Sequence, residues 1–188
     1  KYLDGMFSIV IIDDNKNKLY LIKDSFGKKP LYYRKKNSCG CIDFASESRI
    51  TDDKNELDDK KIRSLLFLHF KHFDQTIYKN INSIPPGSYL EYQNEKINIL
   101  KWYNPSIKKI NKENIEKTIL DLFDKSIKKR LMSDVKMGVF LSGGIDSSLI
   151  ARMLYKNTGE KITTISAIIK DKHILEKNDT DTYARISS

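Results

Sequence analysis

Apolar positions in the first quarter of the chain come in short β-type runs broken by turn residues. Residues 6–12 are rich in Ile, Val and Phe, Asp13-Asp14-Asn15-Lys16-Asn17 supplies a turn, and residues 19–22 open a second run. That pattern predicts an antiparallel hairpin. Further short strands are expected at 31–33 and 42–45. The loop 24–30 lies before them, with Gly27 available for a positive φ and Pro30 fixing the entry to the next strand. The charged stretch 53–59 reads as a linker, and Ile62, Leu65, Leu66, Leu68 and Phe70 predict a short helix over 60–73. Ile84-Pro85-Pro86-Gly87 is a turn, residues 88–92 and 96–103 form a second predicted hairpin, and Asn104-Pro105 marks a domain boundary.

The period changes after Pro105. Ile115, Ile119, Leu122, Phe123, Ile127 and Leu131 recur at spacings of four, three and one, the signature of an amphipathic helix with lysines on its other face. A strand at 137–141, a glycine loop, a helix over about 147–156, a stop at Gly159 and a strand at 162–169 follow. Helix, strand, loop, helix, strand is the opening of a parallel α/β sheet, whose ligands sit at the carboxyl ends of the strands. No internal repeat interrupts this order.

Composition narrows the picture. At 188 residues, 39% hydrophobic and 10% aromatic, the chain can bury a core but has no room for two whole large catalytic domains. No apolar run approaches the roughly 20 residues of a membrane span, and no signal peptide opens the chain. The formal charge of +9 comes from 28 lysines and only 6 arginines against 25 acidic residues. Lys, Ile and Asn make up about a third of the chain, which reads as codon bias more than as a nucleic-acid surface, because arginine is the residue that bidentate phosphate recognition favours. Cys39 and Cys41 are too few for a disulfide scaffold or a structural zinc, and are expected to be reduced thiols. His69 and His72 share a helix face but lack an acidic companion, so they read as a surface pair.

The chemistry concentrates in Val139-Phe140-Leu141-Ser142-Gly143-Gly144-Ile145-Asp146-Ser147-Ser148. A hydrophobic strand ends at Leu141, two glycines allow close approach, and serines open the next helix. Such a turn exposes backbone N–H groups, adds hydroxyl donors and aims the positive end of a helix dipole at one point, an arrangement suited to pyrophosphate. It is neither a Walker A loop, which needs Gly-Lys-Ser/Thr, nor a dinucleotide Gly-x-Gly-x-x-Gly. Asp146 would repel bare phosphate and makes sense as a ligand of a magnesium ion that the phosphates share.

These residues carry a resemblance. Ser142-Gly143-Gly144-Ile145-Asp146-Ser147-Ser148 resembles the pyrophosphate loop of the ATP pyrophosphatases, which include asparagine, GMP, NAD and argininosuccinate synthetases and several tRNA-modifying enzymes. Arg130-Leu131-Met132-Ser133-Asp134-Val135 and Leu149-Ile150-Ala151 look like the version in glutamine-hydrolysing asparagine synthetases. Upstream, Leu3-Asp4-Gly5-Met6-Phe7-Ser8, the stretch 23–33 (Lys-Asp-Ser-Phe-Gly-Lys-Lys-Pro-Leu-Tyr-Tyr) and Phe44-Ala45-Ser46-Glu47 look like the later half of a class II glutamine amidotransferase domain. Ile84-Pro85-Pro86-Gly87-Ser88-Tyr89-Leu90 and Lys101-Trp102-Tyr103 are similar to the segment that joins that domain to the synthetase, and residues 179–185 to the family's next helix.

The resemblance implies a fold of mixed α/β and α+β class. The C-terminal half of an Ntn-type amidotransferase β-sheet layer, at 1–105, precedes the start of a parallel-sheet ATP pyrophosphatase (adenine nucleotide α-hydrolase-like) domain, at 106–188. It implies a cytoplasmic ligase of asparagine biosynthesis: glutamine is hydrolysed in one domain, ATP activates aspartate as an acyl adenylate in the other, and ammonia displaces AMP. Carried over, Ser142, Gly143, Gly144, Ser147 and Ser148 would cradle pyrophosphate, Asp146 would help hold Mg2+, and Phe140, Leu141 and Ala167 fall where the family's backbone contacts adenosine. The expected partners are small molecules (ATP, aspartate, glutamine), with neither nucleic acid nor membrane; a homodimer of the intact protein stays open.

No catalytic residue carries over, because the family's nucleophile is a cysteine at the mature N-terminus and neither Cys39 nor Cys41 matches it. Lys23 stands where the family usually has arginine, keeping the charge without the fork geometry. Lys1 already lies in a later strand, and the chain stops soon after the second strand of the ATP-binding part. The polypeptide alone is therefore expected neither to hydrolyse glutamine nor to make asparagine. An amidotransferase acting on another carboxylate, a tRNA-modifying ATP pyrophosphatase and an inactive remnant remain as alternatives.

Overall fold

Short alternating runs with tight turns give antiparallel sheets, and the computed structural model, which describes residues 3–36, 38–49, 55–69, 74–107 and 114–167, is built on them. The chain divides into two units, Lys1–Ile107 and Lys108–Ser188. In the first, strands β1 (Ser8–Asp13), β2 (Lys18–Lys23), β6 (Ser88–Gln93) and β7 (Lys96–Lys101) form a sheet in the order β1-β2-β6-β7. Strands β3 (Tyr32–Lys36), β4 (Cys41–Ala45) and β5 (Asn82–Ser83) form a second, in the order β4-β3-β5. Every pairing in both sheets is antiparallel. Two-residue alternation explains the core. Register sets Leu19 opposite Tyr92 and Leu21 opposite Leu90, then Leu90 opposite Ile99 and Tyr92 opposite Ile97, so one face is apolar across three strands. Leu21 and Leu90 are completely buried there with Ile84, beside Leu31 and Tyr33, while Leu19, Ile42, Tyr92 and Ile97 pack around them. The core thus lies between the sheets, as in a sandwich.

A charged side chain is buried at the edge of this core. Asp24 is 1% exposed, and its carboxylate accepts hydrogen bonds from the backbone N–H of Phe7 (3.3 Å), Phe26 (3.1 Å), Lys28 (3.0 Å) and Lys29 (2.9 Å). Its own N–H donates to Phe7 O, and its carbonyl accepts from Gly27 and Gly87. Burial opposes the charge, but the backbone donors outweigh it and hold the carboxyl below the usual aspartate range. Gly27, at φ +66°, closes the loop over it, and an added Cβ would meet Pro86 at 2.9 Å. Beside it, the buried Lys23 ammonium donates to Ser83 Oγ at 3.0 Å.

Several expectations shift at this resolution of detail. Helix α1 runs over Asp59–Leu68 and stops at His69, whose backbone is left-handed and whose N–H closes on Leu65 O; residues 70–73, with His72, lie outside the described residues. The charged stretch before it is more than a linker: Asp58 caps the helix by accepting from the Lys60 and Lys61 N–H groups. The short strand β5 has no hydrophobic run to announce it; it is made by pairing Asn82 and Ser83 with Tyr33 and Tyr32. Cys39 and Cys41 form a disulfide rather than the reduced pair the sequence suggests. Gly40 at φ +60° folds the hairpin tip so that their Cα atoms are 5.2 Å apart, within reach of a bridge.

In the second unit α2 (Ile115–Lys128) precedes β8 (Gly138–Phe140), α3 (Ile145–Thr158) and β9 (Thr163–Ile165). The two strands are parallel, with Gly138, Val139 and Phe140 opposite Thr163, Thr164 and Ile165. Helix α3 starts two residues earlier than its serines suggest, because Gly144 takes the extended N-cap conformation, and it ends at a left-handed Gly159 as expected. Asn157 Nδ2 donates to Asp124 Oδ1 at 2.8 Å and ties α3 to α2, while Lys128 pairs with the same carboxylate at 2.7 Å. The apolar stripe of α2 is not a covered face among the described residues: Ile119 and Leu122 are more than half exposed. Strand β9 is shorter than its apolar run, whose residues 168 and 169 lie outside the described residues, as does the helix expected at 179–185.

Replacing the buried carboxylate tests its weight. Asp24→Asn keeps the volume but sets an amide against N–H donors, and should lower unfolding free energy at pH 7 by on the order of 3 kcal/mol. Because the folded carboxyl titrates below its unfolded value of about 3.9, this stability is present above that pH and is lost as pH falls through the folded pKa. Urea unfolding of both proteins from pH 7 to pH 2 should show a gap that is full at neutrality and narrows below about pH 4; a gap independent of pH would refute the assignment.

Candidate functional site

The carboxyl end of β8 is where chemistry-bearing residues gather. Leu141 continues the parallel pairing for one residue, its N–H donating to Ile165 O at 2.9 Å, and its side chain is 2% exposed. Gly143 then takes φ +76°, a conformation that side chains disfavour, and Gly144 enters α3. The turn is closed by hydroxyls. Ser142 N–H donates to Ser147 Oγ at 3.3 Å, the two serine hydroxyls are 3.1 Å apart, and Ser147 Oγ donates to Gly144 O at 3.1 Å. The first intrahelical bond runs from Ser148 N–H to Gly144 O. Gly144 at the N-cap has no side chain to offer the first-turn N–H groups, which begin at this glycine-lined bend.

The residues singled out from sequence fall as follows. Ser142, Gly143, Gly144, Ser147 and Ser148 share this one bend, and Asp146 stands exposed in the first turn of α3. Phe140 is the last residue of β8 and 80% exposed, and Leu141 is buried beneath the bend. Ala167 follows β9 by two residues, so the parallel pairing puts it at the same end of the sheet as the bend. Sequence reasoning passes over its neighbour Ser166, whose hydroxyl donates to Leu141 O at 2.6 Å. No local signal marks it: Thr163, Thr164 and Ser166 put three hydroxyls within four residues, and only the bond to Leu141 across the sheet distinguishes the last.

The arrangement offers donors and a dipole to an anion, and a single carboxylate to a cation. Among the described residues no group of three or more His, Cys, Asp or Glu could hold a metal ion. One exposed carboxylate suits a magnesium ion that takes most of its ligands from phosphate and water, and does not suit a metal held by protein alone. In the first unit neither cysteine is placed as a nucleophile: both lie at a hairpin tip, bonded to each other, where Gly40 O also accepts from the Tyr92 hydroxyl.

The chain matches two family profiles in succession, a glutamine amidotransferase domain over residues 1–103 and asparagine synthase over residues 118–187. It is 31% identical over 154 residues to asparagine synthetase [glutamine-hydrolyzing] 1 of Bacillus subtilis (strain 168), covering 79% of this chain and 24% of that protein. It is 29% identical over 164 residues to asparagine synthetase [glutamine-hydrolyzing] of Mus musculus, covering 84% and 28%. To the probable asparagine synthetase [glutamine-hydrolyzing] of Acanthamoeba polyphaga mimivirus it is 29% identical over 161 residues, with the same shares. The chain spans about a quarter of the length of these relatives. More than half of it matches the first profile and the second follows in order, so the chain belongs to the glutamine amidotransferase domain family, in the arrangement of the glutamine-hydrolysing asparagine synthetases.

Proposed function

We propose that the bend at 142–148 is the pyrophosphate site of an ATP-dependent, glutamine-hydrolysing asparagine synthetase, of which this chain supplies part. Residues 1–105 would be the later part of an Ntn-type amidotransferase layer, and 106–188 the start of a parallel-sheet ATP pyrophosphatase domain. The observation that carries the reading is the positive-φ glycine and paired hydroxyls placed between a parallel strand and an uncapped helix N-terminus. Supporting it, the asparagine synthase match covers this bend.

In the proposed reaction the aspartate side-chain carboxylate attacks the α-phosphorus of ATP and pyrophosphate leaves. Ammonia from glutamine then attacks the acyl carbon, and AMP leaves as asparagine forms. The residues of this chain act at the leaving group. Backbone N–H groups of the bend and the hydroxyls of Ser142 and Ser148 bind its oxygens, and the helix dipole of α3 stabilises negative charge as it grows there. Magnesium, held in part by Asp146, would supply further charge neutralisation to the same phosphates. Phe140, Leu141 and Ala167 border the adenosine side. Such chemistry fits a cytoplasmic enzyme of small-molecule substrates, with ATP, aspartate and glutamine as its ligands; it needs no nucleic acid.

Calorimetric titration of the purified chain with Mg-ATP and Mg-pyrophosphate tests the reading directly, and absence of binding to both would refute it. Asp146→Asn should weaken Mg-ATP binding roughly tenfold yet leave metal-free ATP, measured in EDTA, bound no more weakly, since a repelling charge has gone; equal Mg-ATP affinity in the two proteins would remove the magnesium role.

Gly143→Ala forces a Cβ into the left-handed region at a cost of about 1 kcal/mol or more. It should therefore reduce pyrophosphate affinity while leaving far-UV circular dichroism unchanged. Wild-type affinity in this variant would show that the bend's conformation does not matter.

A further inference from the structure

Two glycines give the bend its shape but no stiffness, so whatever orients its donors must act from the residues on either side. The peptide that joins Leu141 to Ser142 is held at both of its polar ends by side-chain hydroxyls. Its carbonyl oxygen, on Leu141, accepts from Ser166 Oγ at 2.6 Å, and its N–H, on Ser142, donates to Ser147 Oγ at 3.3 Å. One residue earlier the Leu141 N–H donates to Ile165 O at 2.9 Å, and the Leu141 side chain is buried. Consecutive residues at the end of β9 therefore fix both backbone polar groups of Leu141, one through a carbonyl and one through a hydroxyl.

We propose that Ser166 is a positioning residue of the pyrophosphate site, acting through the Leu141–Ser142 peptide to set the direction in which Ser142 and the following N–H groups face. The proposal rests on the reading of the bend as a phosphate site. Its physical basis is that a peptide plane turns about its flanking φ and ψ as a unit, so releasing the carbonyl also releases the N–H at its other end. Ser147 can hold the N–H end alone only weakly, because its hydroxyl lies 3.3 Å from that nitrogen and also donates to Gly144 O. The short bond from Ser166 is the stronger of the two restraints. Pyrophosphate binding needs several donors aligned together, so a turn of this plane weakens affinity more than the loss of one surface hydroxyl weakens the fold.

The test compares Ser166→Ala and Ser166→Thr with wild type and Asp146→Asn, in the full 188-residue chain. Mg-pyrophosphate affinity is read by calorimetry and stability by thermal unfolding. Ser166→Ala should lose about fivefold to tenfold in affinity with a melting temperature within about 3 °C of wild type. Ser166→Thr keeps the hydroxyl, suits a strand end and should recover affinity to within about twofold. If Ser166→Ala binds as wild type does while Asp146→Asn is weakened, the positioning role falls and the phosphate reading stands. If Ser166→Ala is weakened and threonine does not restore it, or if the weakening is matched by a large fall in melting temperature, the hydroxyl is structural only and the proposal is overturned. If wild type itself binds no pyrophosphate, both readings fall together.

Discussion

A buried carboxylate caged by backbone N–H groups organises the first unit. Asp24 draws donors from Phe7, just before β1, and from Phe26, Lys28 and Lys29 in the loop after β2, while its carbonyl takes the N–H of Gly87 at the start of β6. The turn at 84–87 is thereby fixed against the loop at 24–30. Gly87 in turn accepts from the N–H groups of Trp102 and Tyr103 through its carbonyl, so the end of β7 is tied to the same point. A charge in this position is costly unless its lone pairs are filled, and the chain fills them with amides that a loop would otherwise leave unpaired. The loop's shape and the aspartate's ionisation are consequences of one another.

The second unit shows the complementary device. Around Asp24 a loop with a positive-φ glycine wraps an anion that belongs to the chain. At 142–148 another such loop places a positive-φ glycine and serine hydroxyls at the start of a helix, with Asp146 exposed in the helix's first turn. The two loops use the same physics, glycine for curvature and amides for negative charge, with opposite outcomes: one is a closed structural joint and the other, in the function proposed, an open cradle. That difference is why substitution at the first is expected to appear in stability and at the second in affinity.

Much of this was legible in the sequence where a local rule governs. Asp13-Asp14-Asn15-Lys16-Asn17 gives the β1–β2 hairpin, in which Asn17 has φ +49°, and Gly159 stops α3 in the left-handed conformation. The serine-glycine string falls between a strand and a helix as its composition demands. What stays illegible depends on partners distant in sequence. Strand β5 exists because Tyr32 and Tyr33 lie beside Ser83 and Asn82, some fifty residues away. Asp24 reads as an ordinary turn aspartate until Phe7 and Gly87 are seen around it. Ser166 has no signature in its own neighbourhood, since its hydroxyl acts on Leu141 across the sheet. The cysteine pair misleads for the reverse reason: spacing argues against a scaffold, yet a glycine turn between two neighbours brings them together locally.

The positive charge finds its physical place in the same comparison. Several lysines are engaged in ion pairs that join elements or span helix turns: Lys18 with Glu91, Lys79 with Glu56 and Lys128 with Asp124. Arg34 places Nε and Nη2 on Asp43 at 3.3 and 2.7 Å across the β3–β4 hairpin. Burial works against the Asp43 charge, and Arg34 with Lys36 overcomes it, so that carboxyl too sits below its usual range. The arginine fork serves the chain's own carboxylate there and not an outside phosphate. Ordinary surface cations are screened by salt within about 10 Å, whereas amides at a helix end are fixed in direction by the backbone that carries them. A site of the kind proposed, which would hold pyrophosphate in one orientation and release it, is better served by such oriented dipoles than by mobile ammonium groups. The excess of lysine over acid therefore says little about the ligand, and the uncharged string from Ser142 to Ile145 says much more.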